Sequence, residues 1–422
     1  LEKRTPLAVS NAINKVMAFS LAGEHETVSI HESYGRYLAE DLIADHAVPP
    51  FDRSPYDGFA IRAQDSIGAK KETPVAFRVI TEIGAGSVYN GKVGENEAVR
   101  IMTGAQIPDG CDAVIMLELT KQYEKDGQPF FSISHEYKKG DNISFQAEDV
   151  EKGTSLIQKG TYINPGIVAL LATFGYANVR VARRPKIGII ATGSELLEVG
   201  DELKPGKIRN SNAYMMISQV VRSGAEPVYF GKLADNFDQC YSFIKEKVEG
   251  VDFLITTGGV SVGDYDYLPA IYEKLGAAVL FNKVGMRPGS VTTVAELDGK
   301  LLFGLSGNPS ACYVGFELFV RPIVRTYLFS ERPHLQKISA ILGASFVQPN
   351  SFARFIRGKL EFENGKLIVN PVGLDKSNAV SSLAEADCLI VLPGSTRGYE
   401  IGWEVDVLLL GEETGCPDPW GE

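Results

Sequence analysis

Between Pro185 and Tyr327, short apolar runs alternate with amphipathic segments, and this alternation constrains the fold more than any other feature of the sequence. Lys186–Thr192, Pro227–Lys232, Val251–Thr257 and Leu301–Leu305 read as buried strands. Ser211–Ser223, Phe237–Val248, Tyr267–Leu275 and Ser310–Tyr327 read as helices. A chain that alternates in this way folds into a parallel sheet wrapped by helices, because each return to a parallel strand needs a crossover. In such sheets ligands gather at the carboxyl ends of the strands.

The flanks differ. Leu7, Ala8, Ala12, Ile13, Val16, Met17 and Phe19 repeat at helical spacing after Thr5-Pro6, a cap with a first-turn proline, so a helix is expected over residues 7–22. A second is expected over His31–Leu42. Val48 to Pro55 holds three prolines and reads as an extended crossing. From Asp57 to about Ser134, short runs such as Phe59–Ile61, Val75–Ile80, Ala98–Met102 and Ala113–Met116 describe a small β domain, with Lys125-Asp126-Gly127 at a hairpin tip. After Pro333 the texture is β again. Ala344–Val347, Arg354–Phe362, Lys366–Val369, Cys388–Leu392 and Glu404–Leu410 read as strands, with Asn364-Gly365 as a turn.

Charge and composition remove several classes. The 422 residues carry 42 Lys and Arg against 53 Asp and Glu, a formal charge of −11, which disfavours non-specific binding to nucleic acid. No run of about 18 apolar residues exists, so no membrane span is expected, and charges at Glu2, Lys3 and Arg4 argue against a signal peptide. The 5 cysteines are odd in number and lack a C-x-x-C pair, as in a reducing cytoplasm, and the 5 histidines form no i, i+4 pair of the kind zinc sites use.

The chemistry concentrates at three strand ends. The first strand runs into Thr192-Gly193-Ser194-Glu195, the third into Gly258-Gly259-Val260-Ser261 and on to Asp266, and the fourth into Ser306-Gly307-Asn308-Pro309. Backbone N–H groups in such loops bind phosphate without a basic residue. Glycine-bearing βα turns are common, but three on one sheet edge point to an anion or nucleotide cradle. Glu195 and Asp266 beside it suit Mg²⁺, although either could serve only as a helix cap. Lys283 and Arg287 in the following loop suit an oxyanion. Gly259 to Gly263 also matches the G-x-S-x-G of serine hydrolases. That mechanism needs a later histidine, and His334 stands alone beyond the sheet domain.

These residues carry a wider pattern. Pro49-Pro50-Phe51-Asp52-Arg53-Ser54-Pro55-Tyr56-Asp57-Gly58, Met102-Thr103-Gly104-Ala105, Gly140-Asp141 with Glu148-Asp149, and the three strand-end loops occur in order over nearly the whole chain. The chain thereby resembles the molybdopterin molybdenumtransferase family of MoeA and the gephyrin E-domain. The resemblance implies an α/β multidomain protein: a central parallel-sheet α/β domain of the molybdopterin-binding type, two smaller, mainly β domains, and an elongated helical and β N-terminal domain. It implies boundaries at 1–26 with 44–52 and 150–182, 27–43 with 53–149, 183–329, and 330–412.

It also implies a cytoplasmic enzyme of molybdenum cofactor biosynthesis. Adenylylated molybdopterin and molybdate are its substrates and Mg²⁺ its cofactor; molybdenum is inserted and AMP leaves. By the same resemblance Asp57, Thr103 and Asp149 serve a cleft formed between the subunits of a homodimer. Glu195, Asp235 and Asp266 line the sheet side, with Asp266 and Glu195 as Mg²⁺ ligands. Thr192, Gly193, Ser194, Gly258, Gly259, Ser261, Lys283, Arg287, Ser290, Gly307, Asn308 and Pro309 bind substrate. Arg357 and Ser382 sit where family members contact molybdate.

The sequence departs from the family at two places. Its Lys-Pro-Gly-Lys-Pro loop is Arg287-Pro288-Gly289-Ser290-Val291 here, and its Leu-Pro-Gly-Asn-Pro loop is Leu305-Ser306-Gly307-Asn308-Pro309. The adenylyltransferase of the preceding step shares the sheet domain but carries Gly-Gly-Thr-Gly where this chain has Gly258-Gly259-Val260-Ser261, so that enzyme is an expected partner rather than the match. A gephyrin-like scaffold that binds peptides without transferase activity is the competing expectation.

Overall fold

The computed structural model describes residues 5–233, 236–259, 267–411 and 416–420. The chain divides into two compact units, one of residues 1–40, 158–172 and 176–422, the other of residues 41–157 and 173–175.

The larger unit is organised by a six-stranded sheet. Its strands are β1 (Lys186–Thr192), β2 (Glu226–Leu233), β3 (Phe253–Thr257), β4 (Ala278–Phe281), β5 (Thr293–Leu297) and β6 (Lys300–Leu305), in the order β2-β1-β3-β6-β5-β4. The first four in that order are parallel, as expected. The sheet as a whole is mixed, because β5 runs antiparallel to both β6 and β4. The sequence reading missed β4 and β5, which lie on either side of the 282–292 connection.

The sheet is buried on both faces. Ile189, Ile255 and Phe303 join one core cluster, while their neighbours Ile190, Leu254 and Leu302 join another. Burial on two sides explains why these strands read as unbroken apolar runs rather than alternating ones. Each such side chain contributes about 1.5–3 kcal/mol on leaving water.

Helices Ser211–Ser223, Phe237–Lys247 and Leu268–Lys274 cover the faces. The expected long helix is a continuous helical run from Pro309 to Tyr327, with a π turn over Phe316–Val320. The N-terminal helix is confined to Val9–Met17. The helix expected over His31–Leu42 does not form. A single turn at Ile30–Glu32 ends before Gly35, whose φ is +75°. Leu38 then pairs with Thr161 and Ala39 with Arg180, so extended pairing overrides the local helical pattern.

The C-terminal sheet closes on itself. Ala353–Glu363 pairs with Lys366–Pro371 on one side and Cys388–Leu392 on the other, and Glu404–Leu409 and Lys337–Leu342 complete the ring. Closure removes the free edges that would otherwise template aggregation. Lys337–Leu342 is a strand the sequence reading missed, and Ala344–Val347 reduces to one bridge between Phe346 and Tyr399. Asn364 and Gly365 have φ of +50° and +78°, the backbone that a two-residue hairpin turn requires.

The smaller unit holds another six-stranded sheet, with Gly58–Ile61, Glu97–Ile101 and Val75–Ile83 among its inner strands and Ala113–Met116 at one edge. Its core is a ladder of stacked rings, Phe59 over Phe131 at 4.0 Å and Phe131 over Phe77 at 5.3 Å. Lys121–Lys125 and Gln128–Ile133 form the expected hairpin around Asp126-Gly127. All 5 cysteines are free thiols. Among the described residues no helix is long and apolar enough to cross a membrane.

Candidate functional site

The carboxyl edge of the sheet in the larger unit opens onto a cavity of about 1180 Å³. Because strand order reverses about β1, a crevice forms where β1 and β3 end, and the loops after them fill it. The Thr192 hydroxyl donates to the carbonyl of Thr257 at 3.2 Å. The Gly258 N–H donates to the carbonyl of Leu305 at 3.0 Å. Gly258 has a φ of +92°, and a Cβ on it would stand 2.4 Å from the Thr192 carbonyl oxygen. Only glycine fits there, so the three loops can meet and expose their backbone to the cavity.

Asn210 and Asn212 extend this wall. Asn210 caps the helix Ser211–Ser223 by accepting from the Ala213 N–H at 3.2 Å, and the Asn212 amide donates to the Gly307 carbonyl at 2.8 Å. The helix N-terminus thus lies on the cavity wall, where its partial positive charge favours an anion.

The opposing wall is cationic. Because β5 is antiparallel, the connection 282–292 leaves β4 and enters β5 at the same edge of the sheet, and this brings Arg287 and Ser290 to the cavity. The two-residue strand Met286–Arg287 pairs with the closed C-terminal sheet, placing Arg287 opposite Arg354. The Arg287 guanidinium lies over the Phe352 ring, 5.9 Å from its centre. Arg354 and Arg357 both reach Asp375, the second at 3.3 Å. Arg357 also donates to the carbonyls of Leu374 at 2.9 Å and Lys376 at 3.3 Å, and to the Ser382 hydroxyl at 3.3 Å. Burial pulls the Arg357 guanidinium below its ordinary range, and Asp375 opposes that shift.

Glu195 is the acid of the cavity's first loop. Its carboxylate lies against Gly193, where a Cβ would stand 2.5 Å from Oε2. Its own carbonyl accepts from the Ile208 N–H at 3.0 Å. Lys207 and Lys232 hold the carbonyls on either side, Ser194 at 2.6 Å and Leu196 at 2.9 Å. No cluster of three metal-ligating side chains occurs among the described residues. One carboxylate beside a phosphate cradle still fits Mg²⁺, which takes one or two protein carboxylates and completes its shell with water and substrate phosphate.

The cavity gathers Thr192, Gly193, Glu195, Gly258, Gly259, Arg287, Ser290, Gly307, Asn308, Pro309 and Arg357 on its walls. Ser194 contributes the carbonyl that holds Lys207, and Ser382 sits buried behind Arg357. Lys283 is not on the wall; its carbonyl accepts from the Leu7 N–H at 3.1 Å. Asp235, Ser261 and Asp266 lie outside the described residues. His334 lines a separate, small pocket with Glu317 and Trp420, and no described histidine lines the large cavity, so the hydrolase reading finds no base there.

Asp57, Thr103 and Asp149 belong to the smaller unit. Thr103 donates to Asp57 through both its N–H and its hydroxyl. Asp149 is exposed on the loop whose backbone pairs with Val48. Sequence reasoning missed Asn210, Asn212, Arg354 and Asp375. Asn210 carries a readable signal, a cap just before a helix. Arg354 carries none, since its partner is 21 residues away.

The comparisons with known proteins agree along the chain. Residues 7–175 match the MoeA N-terminal region (domain I and II), 188–326 a probable molybdopterin binding domain, and 339–410 the MoeA C-terminal region (domain IV). A molybdopterin molybdenumtransferase of Bacillus subtilis is 59% identical over 420 residues, covering 100% of this chain and 98% of its own. One from Staphylococcus epidermidis is 49% identical over 409 residues, covering 97% of each. A crystal structure of a molybdopterin biosynthesis MoeA protein from Pyrococcus horikoshii superposes with a TM-score of 0.81 at 30% identity, over 96% of this chain and 100% of that one. The chain belongs to the molybdopterin molybdenumtransferase family, the transferases of molybdenum cofactor biosynthesis.

Proposed function

We propose that this cavity binds adenylylated molybdopterin and molybdate, that molybdenum passes to the dithiolene, and that AMP is released. The observation that carries the reading is the cavity itself, with three backbone-lined strand ends on one wall and Arg287 and Arg354 on the other. A dianion and a pyrophosphate together need many N–H donors and a few fixed cations, and the two walls supply both.

The residues divide the work. The loops at Thr192, Gly258 and Gly307 hold phosphate oxygens through backbone N–H groups. Arg287 and Arg354, with Arg357 behind them, neutralise the oxyanion, and Ser290 offers a hydroxyl where the family carries a second lysine. Glu195, with Asp266, would hold Mg²⁺. When bound, Mg²⁺ polarises the phosphoanhydride and stabilises charge on the departing AMP. Asp57, kept ionised by Thr103, accepts a proton or orients water, and Asp149 assists it. In this reading Asp57, Thr103 and Asp149 serve the cleft of a cytoplasmic homodimer, and the chain keeps a four-domain organisation.

The test is an AMP-release assay with purified protein, adenylylated molybdopterin, molybdate and Mg²⁺. AMP is expected to appear only when molybdate is present. Release no faster than in the protein-free control would overturn the reading and would favour a non-enzymatic scaffold.

A further inference from the structure

The two arginines that converge on one wall of the cavity are already paired. Arg354 donates to one oxygen of Asp375, and Arg357 to the other at 3.3 Å. Asp375 is itself part of the cavity wall, with its side chain 29% exposed, whereas Arg354 and Arg357 are 19% and 1% exposed. A carboxylate therefore occupies the guanidinium edges that an incoming oxyanion would use. Carboxylate and tetrahedral oxyanions present similar oxygen pairs to such a fork.

The loop that carries Asp375 does not depend on this carboxylate for its position. Arg357 holds the carbonyls of Leu374 and Lys376. Ser310 holds two more: its N–H donates to the Ser377 carbonyl at 3.0 Å, and its hydroxyl donates to the Ala379 carbonyl at 2.6 Å. Four backbone anchors fix residues 374–379, and Ser310 sits in the first turn of the helix that follows the Gly307 loop. The Asp375 side chain is free to let go while the loop stays in place.

We propose that Asp375 is an internal competitor for the oxyanion. It partly neutralises Arg354 and Arg357 and keeps them in position when the cavity holds only water, and it yields one or both to a dianionic tetrahedral substrate, so it sets the affinity and selectivity of that subsite. The inference rests on the proposed use of this cavity for molybdate. Its chemistry is that of exchange: a dianion displaces a monoanion from a pair of fixed cations, and a singly charged anion gains little by doing so. Removing the carboxylate raises the local charge by one and removes the competition.

The test uses the full chain and equilibrium binding, without nucleotide. Molybdate, tungstate, sulfate and chloride are titrated into wild type, Asp375→Asn and Asp375→Ser by calorimetry, with thermal melts to confirm folding. Both variants are expected to bind molybdate on the order of five- to tenfold more tightly, the effect of one charge a few ångströms away in a partly wet cavity. They are also expected to bind chloride measurably, and the gain should shrink as ionic strength rises. Unchanged or weaker molybdate binding in either folded variant would overturn the proposal. If wild type binds no molybdate while its AMP release also fails, the functional reading fails first. If wild type binds molybdate and the variants match it, only the role of Asp375 fails.

Discussion

Thr103 closes on Asp57 twice, through its backbone N–H at 2.7 Å and its hydroxyl at 2.8 Å, both to the same carboxylate oxygen. The backbone bond is the larger cause of a carboxyl held below its usual range, the hydroxyl the next, and Arg100 adds a little. A depressed folded-state value means that the stabilising contribution is present above the unfolded value and is lost as pH falls through the folded one. Thr103→Val deletes the hydroxyl and keeps the amide. The Asp57 carboxyl, followed by NMR, is expected to rise but to stay below an ordinary aspartate. The acidic limb of the AMP-release profile should move up with it, and an unmoved limb would exclude Asp57 from the chemistry.

Gly258→Ala introduces two faults, a side chain at φ +92° and a Cβ 2.4 Å from the Thr192 carbonyl. Gly276→Ala is the natural control, because its φ is +82° but nothing lies within 4 Å. Urea denaturation is expected to show about 1 kcal/mol lost at Gly276 and roughly 2–3 kcal/mol at Gly258. AMP release should fall more than about tenfold only for Gly258→Ala, since only that glycine joins the strand-end loops. Equal costs at the two positions would mean that the close approach is not needed.

His334 is 8% exposed, and burial lowers it from 6.5 to about 4. Nearby Asp418 pulls it back up and Arg321 pushes it further down. The unfolded chain thus binds a proton that the folded one refuses between these values. Stability is full above 6.5 and drains away as pH falls toward about 4, by roughly 3 kcal/mol at most. His334→Phe should flatten the denaturation midpoint across that window. A wild-type midpoint that does not fall there would contradict a neutral buried imidazole.

Asp266→Asn and Glu195→Gln test the proposed Mg²⁺ ligands by charge alone. Both proteins are expected to melt near the wild-type temperature and to release AMP at least about a hundredfold more slowly, with weaker Mn²⁺ binding by calorimetry as a second readout. Wild-type AMP release from Asp266→Asn would remove that residue from the mechanism.

What could be read from the sequence followed what is local. Lys186–Thr192 and Phe253–Thr257 announced themselves because both of their faces are buried. The Asp126-Gly127 and Asn364-Gly365 turns were legible because few residues accept positive φ in succession. His31–Leu42 misled because partners at Thr161 and Arg180, over a hundred residues away, decide its backbone. β4 and β5 were overlooked because short strands beside a glycine- and proline-bearing loop look like the loop itself. The glycine side of the cavity was visible in three motifs. Arg354 and Asp375 were not, since a strand and a distant loop meet there only after the closed sheet has formed.

The single antiparallel strand has a consequence for how such a protein can vary. A crossover between parallel strands spends its length travelling from one end of the sheet to the other, and its sequence must also make a packed helix. The connection 282–292 has no such journey, because it starts and finishes at the ligand edge between β4 and β5. Within it Val284 and Met286 are buried in the core, while Arg287 and Ser290 stand on the cavity wall. At those two positions the side chain answers to the ligand more than to the core, so substrate preference can drift there while the scaffold stays fixed.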